Sequence, residues 1–255
     1  MTNTFIYSFI GSIVVGASAG YLGSLMISKK MALVGDAMGH IALPGIGLAL
    51  VYGFNPSLGA FVFLLFGIFL ILFFERKTSL SLETLVGIVF VSSLAIGFLI
   101  VPSYELEHAL IGDISQLYFK TAIITSFLSF LVLFLVKKIY SPMALIMISE
   151  DVAKSRGINV FRYHLVYLFA IAIVVALGIE VVGSLLVGAL MIIPPAIARN
   201  LSKSLSAYQL LSIFFGVLGS VLGLIVFFFT GLPAGPLIIL CSACLFLVST
   251  FFKQS

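Results

Sequence analysis

The stretch Met31-Ala-Leu-Val-Gly35-Asp36-Ala-Met-Gly39-His40-Ile-Ala-Leu-Pro44-Gly45 decides the fold, because it sets one carboxylate and one imidazole inside a run of otherwise apolar or small residues. An ionisable side chain within a membrane span costs about 2.5–3.5 kcal/mol on insertion scales, and such residues are retained for function. At about 1.5 Å rise per residue, His40 lies roughly 15 Å beyond Lys30, near the middle of a hydrocarbon layer about 30 Å thick. The i,i+4 spacing places Asp36 and His40 on one helix face.

The rest of the chain has the same character. Of 255 residues, 62% are hydrophobic and 9% charged, with a net charge of +4, and the mean hydropathy is +1.31. Soluble domains are about 45–50% apolar and about a quarter charged. A chain this poor in polar side chains cannot cover a globule in water, which excludes a soluble enzyme or a nucleic-acid binder. The expectation is an all-α, polytopic transmembrane helical bundle forming a single domain over residues 1–255, with membrane lipid as its surroundings and no nucleic acid as partner.

A helix needs about 20 apolar residues to span the bilayer. On that basis the candidate spans are about 5–28, 33–53, 57–74, 82–101, 121–138, 163–181, 184–198, 208–230 and 234–252. The sixth and seventh are divided only by a tight turn around Glu180–Gly183, so eight spans with a broken or re-entrant segment there is the alternative to nine. Met1-Thr2-Asn3-Thr4 carries no basic residue, unlike the start of a secretory signal, so the first span reads as retained. Basic residues favour the cytoplasmic side. With the N-terminus outside and the C-terminus cytoplasmic, 12 of the 13 Lys and Arg residues fall on the inner face and only Lys120 outside. The same orientation puts Glu105, Glu107, Asp113 and Glu180 on the outer face.

Gly16-x3-Gly20 and Gly219-x3-Gly223 let helices approach closely in lipid. Cys241 and Cys244 share a helix face and offer either a soft-metal pair or, with no His or carboxylate nearby, two small packing residues. His108 reads as an outer-loop residue among acids, and His164 as a surface or interfacial residue at an inner helix start.

Asp36 and His40 supply one oxygen and one nitrogen ligand, a set that suits zinc and is tolerated by manganese or iron. Two ligands hold zinc poorly, whereas a two-fold homodimer would bring four to its axis. Two other readings are a proton relay in a secondary transporter and a pair of side chains that merely hydrogen-bond within a buried interior. The glycines at 35, 39, 45 and 47 with Pro44 make this helix narrow and breakable, as expected where backbone lines a path.

A second signal lies between the fifth and sixth spans, in Ser149-Glu150-Asp151-Val-Ala153-Lys154-Ser-Arg156-Gly157. Ser149 is a good N-cap and the two acids suit the positive end of the helix dipole. Lys154 and Arg156 occupy the last turn, and Gly157 suits a left-handed stop. A short capped helix on the inner face either lies on lipid or docks a cytoplasmic partner.

Gly35-Asp36-Ala-Met-Gly39-His40-Ile-Ala-Leu-Pro44-Gly45 resembles the signature of the permease subunits of metal-ion ABC importers, the ABC-3 family. Three further blocks follow in the same order: the capped helix at 149–157, Gly183-Ser-Leu-Leu-Val-Gly-Ala-Leu-Met-Ile-Ile-Pro194-Pro-Ala-Ile-Ala-Arg199, and Leu232-Pro-Ala-Gly-Pro236. Within the family, Phe54-Asn55-Pro56, Glu75-Arg76-Lys77, Glu83-Thr-Leu-Val-Gly87 and Pro233-Ala-Gly-Pro236 with Cys241 resemble the zinc-uptake branch of Gram-negative bacteria. The chain departs from the pattern at Gly39, where the family often has Ser or Ala, and in 103–113, which keeps only the Leu-x-Gly-Asp core.

The resemblance implies a type II ABC importer-like fold in a bacterial inner (plasma) membrane, acting as a homodimer. It implies cytoplasmic ABC ATPase subunits that dock on the helix at 149–157, and a periplasmic or extracellular metal-binding protein that delivers the ion. It implies transported Zn2+, with Mn2+ or Fe2+ as alternatives, bound in passing by Asp36 and His40 and never held as a permanent cofactor. Pro44, Gly45 and Pro194 are then helix breaks or gates. The sequence contains no Gly-x4-Gly-Lys-Ser/Thr phosphate loop, so ATP hydrolysis belongs to a separate subunit and the chain itself is expected to be no enzyme.

Overall fold

This computed structural model describes residues 2–29, 31–100, 119–184 and 187–252, which form eleven helices and, among them, no strand. In chain order these are α1 Thr2–Ser28, α2 Leu33–Ile41, α3 Leu43–Tyr52, α4 Pro56–Lys77, α5 Leu82–Ile100 and α6 Phe119–Ile148. They continue as α7 Glu150–Ser155, α8 Val160–Val182, α9 Val187–Leu201, α10 Leu205–Thr230 and α11 Ala234–Thr250. Glu105, Glu107, His108 and Asp113, expected from the sequence on the outer face, and the side chain of Glu180 lie outside the described residues.

Among the described residues, seven stretches are long and apolar enough to cross a membrane, α2 and α3 counting together as one, Leu33–Tyr52. The remaining two candidate spans are the shorter helices Val187–Leu201 and Ala234–Thr250. With 15 residues, α9 covers roughly 22 Å, less than a hydrocarbon layer of about 30 Å. The fifth segment also differs from its expected bounds of about 121–138, since α6 runs on to Ile148 through Lys137, Lys138 and Pro142. Charge ends an apolar window without ending a helix, and the extra turns bring Met143 and Ile146 into the core.

In lipid, apolar burial gives helices no net attraction, so close packing of small residues must hold them together. Both glycine pairs serve that purpose, at different contacts. Gly16 and Gly20 of α1 lie on Gly216 and Ser212 of α10, while Gly219 and Gly223 of α10 face Ser242 and Ile238 of α11. Buried serines bond back to carbonyls of their own helices, as Ser12 Oγ donates to the Ser8 carbonyl at 2.8 Å and Ser220 Oγ to that of Gly216 at 2.9 Å. This satisfies a hydroxyl where water is absent. Helix α8 is apolar all round and buried from Tyr167 to Ile179 except at half-buried Phe169, so it is the axis of the bundle. The outer faces carry Phe66, Phe69, Phe98, Phe127, Phe130 and Phe134, all exposed and fit for acyl chains.

Candidate functional site

Lacking a side-chain cap, α2 starts at Leu33, holds Asp36 in its first turn and His40 in its last, and stops at Ala42. The helix dipole therefore favours the carboxylate at its positive end and a cationic imidazole at its negative end. The interruption precedes Pro44, which stands in the first turn of α3. A proline offers no amide to continue the ladder and disfavours helical backbone before it. Gly45 lies within α3, where its missing side chain admits the Gly59 carbonyl of α4. Pro194 and Pro195 are buried inside α9 without ending it.

Three contacts seat the two candidate ligands. A Cβ on Gly188 of α9 would stand 2.6 Å from the Asp36 Cα, and one on Gly39 would meet the Ser184 carbonyl oxygen at 2.5 Å. The His40 ring packs against Phe90 of α5 with centroids 5.4 Å apart. Both ligand residues are half-buried. The Nδ1 of His40 is buried with no hydrogen-bond partner among the described residues, and no hydrogen bond joins His40 to Asp36. The reading in which the two simply satisfy each other therefore does not describe this structure. Among the described residues, no cluster of three or more His, Cys, Asp or Glu side chains could hold a metal ion within one chain. Cys241 and Cys244 are free thiols, half-buried and exposed respectively, with no third ligand.

Helix α7 has the expected caps. The Ser149 side chain accepts from the Val152 amide at 3.4 Å. At the other end the Ile158 amide bonds the Ala153 carbonyl at 3.0 Å and the Gly157 amide that of Lys154 at 2.9 Å. Gly157 has φ 77°. This pair of bonds is the Schellman stop, which requires a left-handed residue at that point. Ala153 is buried, whereas Glu150, Asp151, Lys154, Ser155, Arg156 and Gly157 are exposed. Lys154 and Glu150 pair at 3.4 Å across one turn. The helix is thus anchored by one methyl group and presents charge outward.

His164 corrects its sequence assignment: it is buried, and no interfacial residue. Its Nδ1 stands 2.6 Å from Glu75 Oε1 and its Nε2 3.3 Å from Lys29 Nζ. Lys29 also lies over the Tyr167 ring, 5.1 Å from the centroid. Burial pushes the Lys29 ammonium down to about 8, against the opposing pull of Glu150 and Glu75. Nothing in one-dimensional spacing joins positions 29, 75 and 164; an inner-face histidine was the only signal.

These features define a helical membrane permease with a half-buried carboxylate and imidazole one turn apart on α2 and a charged helix at one end. The chain matches the ABC 3 transport family over residues 1–253 and belongs to it. It is 32% identical to the manganese import system permease protein ScaB of Streptococcus parasanguinis over 96% of this chain and 89% of that one. It is 28% identical to the high-affinity zinc uptake system membrane protein ZnuB of Buchnera aphidicola over 99% of both. Among solved structures it superposes on PsaBC from Streptococcus pneumoniae in complex with Fab with TM-score 0.83 and 30% identity, covering 100% of this chain and 97% of that one. An inward-facing putative metal-chelate type ABC transporter shares the fold at TM-score 0.71 and 20% identity, over 96% and 85% of the two chains. The protein is a multi-pass membrane permease of a metal-ion ABC importer and is not itself an enzyme. That membership replaces the proton-coupled secondary transporter.

Proposed function

We propose that this permease carries Zn2+ inward across a bacterial plasma membrane along the axis between two copies of itself. Asp36 and His40 of each copy bind the ion in passing, which yields two carboxylates and two imidazoles, a four-coordinate set suited to zinc. The observation that carries this reading is His40 Nδ1, buried and unpartnered on the same face of α2 as Asp36. An orphaned buried nitrogen costs free energy unless something binds it. Each chain alone offers too few ligands to trap the ion, so it can leave.

The N-terminus faces outward and the C-terminus inward, as the distribution of lysine and arginine indicates. The exposed residues Ser155 to Gly157, with Glu150, Asp151 and Lys154, form the platform for a cytoplasmic ATPase subunit, anchored through Ala153 and capped by Ser149. Outside, a metal-binding protein delivers the ion. Pro44, Gly45 and Pro194 set the breaks and close approaches about which the helices rock. A manganese cargo is the second reading, favoured by relatives named for manganese import at 32% and 33% identity.

The test is uptake of Zn2+, Mn2+ and Fe2+ by the permease reconstituted with its ATPase in liposomes supplied with ATP. Asp36→Ala and His40→Ala should each abolish metal influx while assembly with the ATPase survives. Unchanged influx would remove both residues from the path, and a preference for Mn2+ would decide for the second reading.

A further inference from the structure

Helices α1, α4 and α8 end or begin at one polar cluster beside α7, in which buried His164 joins half-buried Lys29 and Glu75. Its hydrogen-bond polarity follows from chemistry. An ammonium has only donors, so His164 Nε2 must accept from Lys29, and Nδ1 then carries the proton donated to Glu75. The imidazole thus bridges the carboxylate and the ammonium. The second Glu75 oxygen is buried with no hydrogen-bond partner among the described residues. Glu150, the first residue of α7, lines the same cavity and acts electrostatically on Lys29. Lys29 itself stands four residues before α2 begins at Leu33.

We propose that Lys29, His164 and Glu75 are positioning residues, a three-member pin that makes the end of α1, and with it the α2 segment bearing Asp36 and His40, follow the movement of α7. This rests on the permease reading above and names the part that transmits the stroke. Apart from the pin, the main packing of α7 among the described residues is against α6 and, less closely, α8. With it, the charge on Glu150 and the α8 base both act on the turn leading into α2. The charged or titratable groups around His164 are Lys29 from α1, Glu75 from α4, Glu83 from α5, Glu150 from α7 and Tyr167 from α8 itself.

The experiment measures metal ions moved per ATP hydrolysed by the reconstituted permease and ATPase, for wild type, His164→Leu and His164→Asn. An asparagine amide can donate toward Glu75 and accept from Lys29 without titrating. His164→Leu should lower the ratio about tenfold while hydrolysis continues; His164→Asn should restore it. An unchanged ratio in His164→Leu, or a loss in His164→Leu that His164→Asn does not restore, overturns the pin. Should His164→Leu fail to assemble, Glu75→Gln takes its place with the same two outcomes. Absence of ATP-driven flux in wild type instead refutes the permease reading. The pin is then decided in the permease alone, by amide exchange at residues 24–29, faster in His164→Leu and restored in His164→Asn; equal rates overturn it.

Discussion

Gly188 of α9 has no side chain because Asp36 of α2 occupies its place: a Cβ there would stand 2.6 Å from the Asp36 Cα and 2.7 Å from its Cβ. The contact is with backbone, so no rotamer change relieves it. The carboxylate is thereby held against the start of a helix on the far side of the sequence, and the depth and direction of the candidate ligand depend on a residue that binds nothing.

Gly188→Ala should displace α2 and lower metal influx more than it lowers the amount of folded permease. Overpacking of this kind costs about 1–3 kcal/mol. Comparing influx per folded molecule, by size-exclusion of solubilised protein and metal uptake in parallel, checks this. Equal influx per molecule would mean that α9 does not set the position of Asp36.

At the α1–α10 crossing, Gly216 packs on the Gly16 carbonyl. Gly216→Leu should separate these helices and abolish assembly, because in lipid close packing replaces the hydrophobic effect. Thermal unfolding in detergent is the measurement. Gly87, whose Cβ would meet nothing within 4 Å, is the control: Gly87→Leu should leave the transition in place.

Gly157→Ala forces a methyl group into a left-handed turn at φ 77°, a cost of about 1–2 kcal/mol. The penalty falls on a six-residue helix held by one buried methyl. Co-purification with the ATPase should therefore weaken several-fold while the thermal stability of the bundle is unchanged. Gly157→Asn should be milder, since asparagine tolerates that backbone.

Lys29 should lose its proton as pH rises through about 8, whereas the unfolded chain keeps it to the ordinary lysine value of 10.5. Between those values the unfolded state binds more protons, so this group's contribution to stability grows with pH, and its penalty is complete below about 8. Titration of isotopically methylated lysines by NMR should show one midpoint near 8 that moves upward in His164→Leu if the side chain gains water. A Lys29 midpoint with the bulk of the lysines would remove it from the buried cluster.

Much of the architecture is written locally. The apolar windows, the break near Pro44, the Ser149 and Gly157 caps and the i,i+4 relation of Asp36 to His40 each depend on residues within a turn or two. Chain-local physics decides them: a span needs length and apolarity, a cap needs a short polar side chain, and a left-handed stop needs glycine. Window methods misjudge only ends, as with α6, where two lysines interrupt the apolar run while the helix continues to Ile148.

What the tertiary structure alone decided is which distant residues share a volume. That Gly188 seats Asp36, that Phe90 flanks His40, and that His164 is buried between Lys29 and Glu75 follow from helix packing, which depends on shape complementarity between residues 50 or more positions apart in the chain. The sequence determined an all-helical membrane protein with an Asp–His pair one turn apart on a helix and a short capped helix between two spans. Packing decided that the pair is held by glycine contacts with His40 Nδ1 left without a partner among the described residues, and that Lys29, Glu75 and His164 meet beside that helix. Side-chain identity is local, but burial and partnership are properties of the folded bundle.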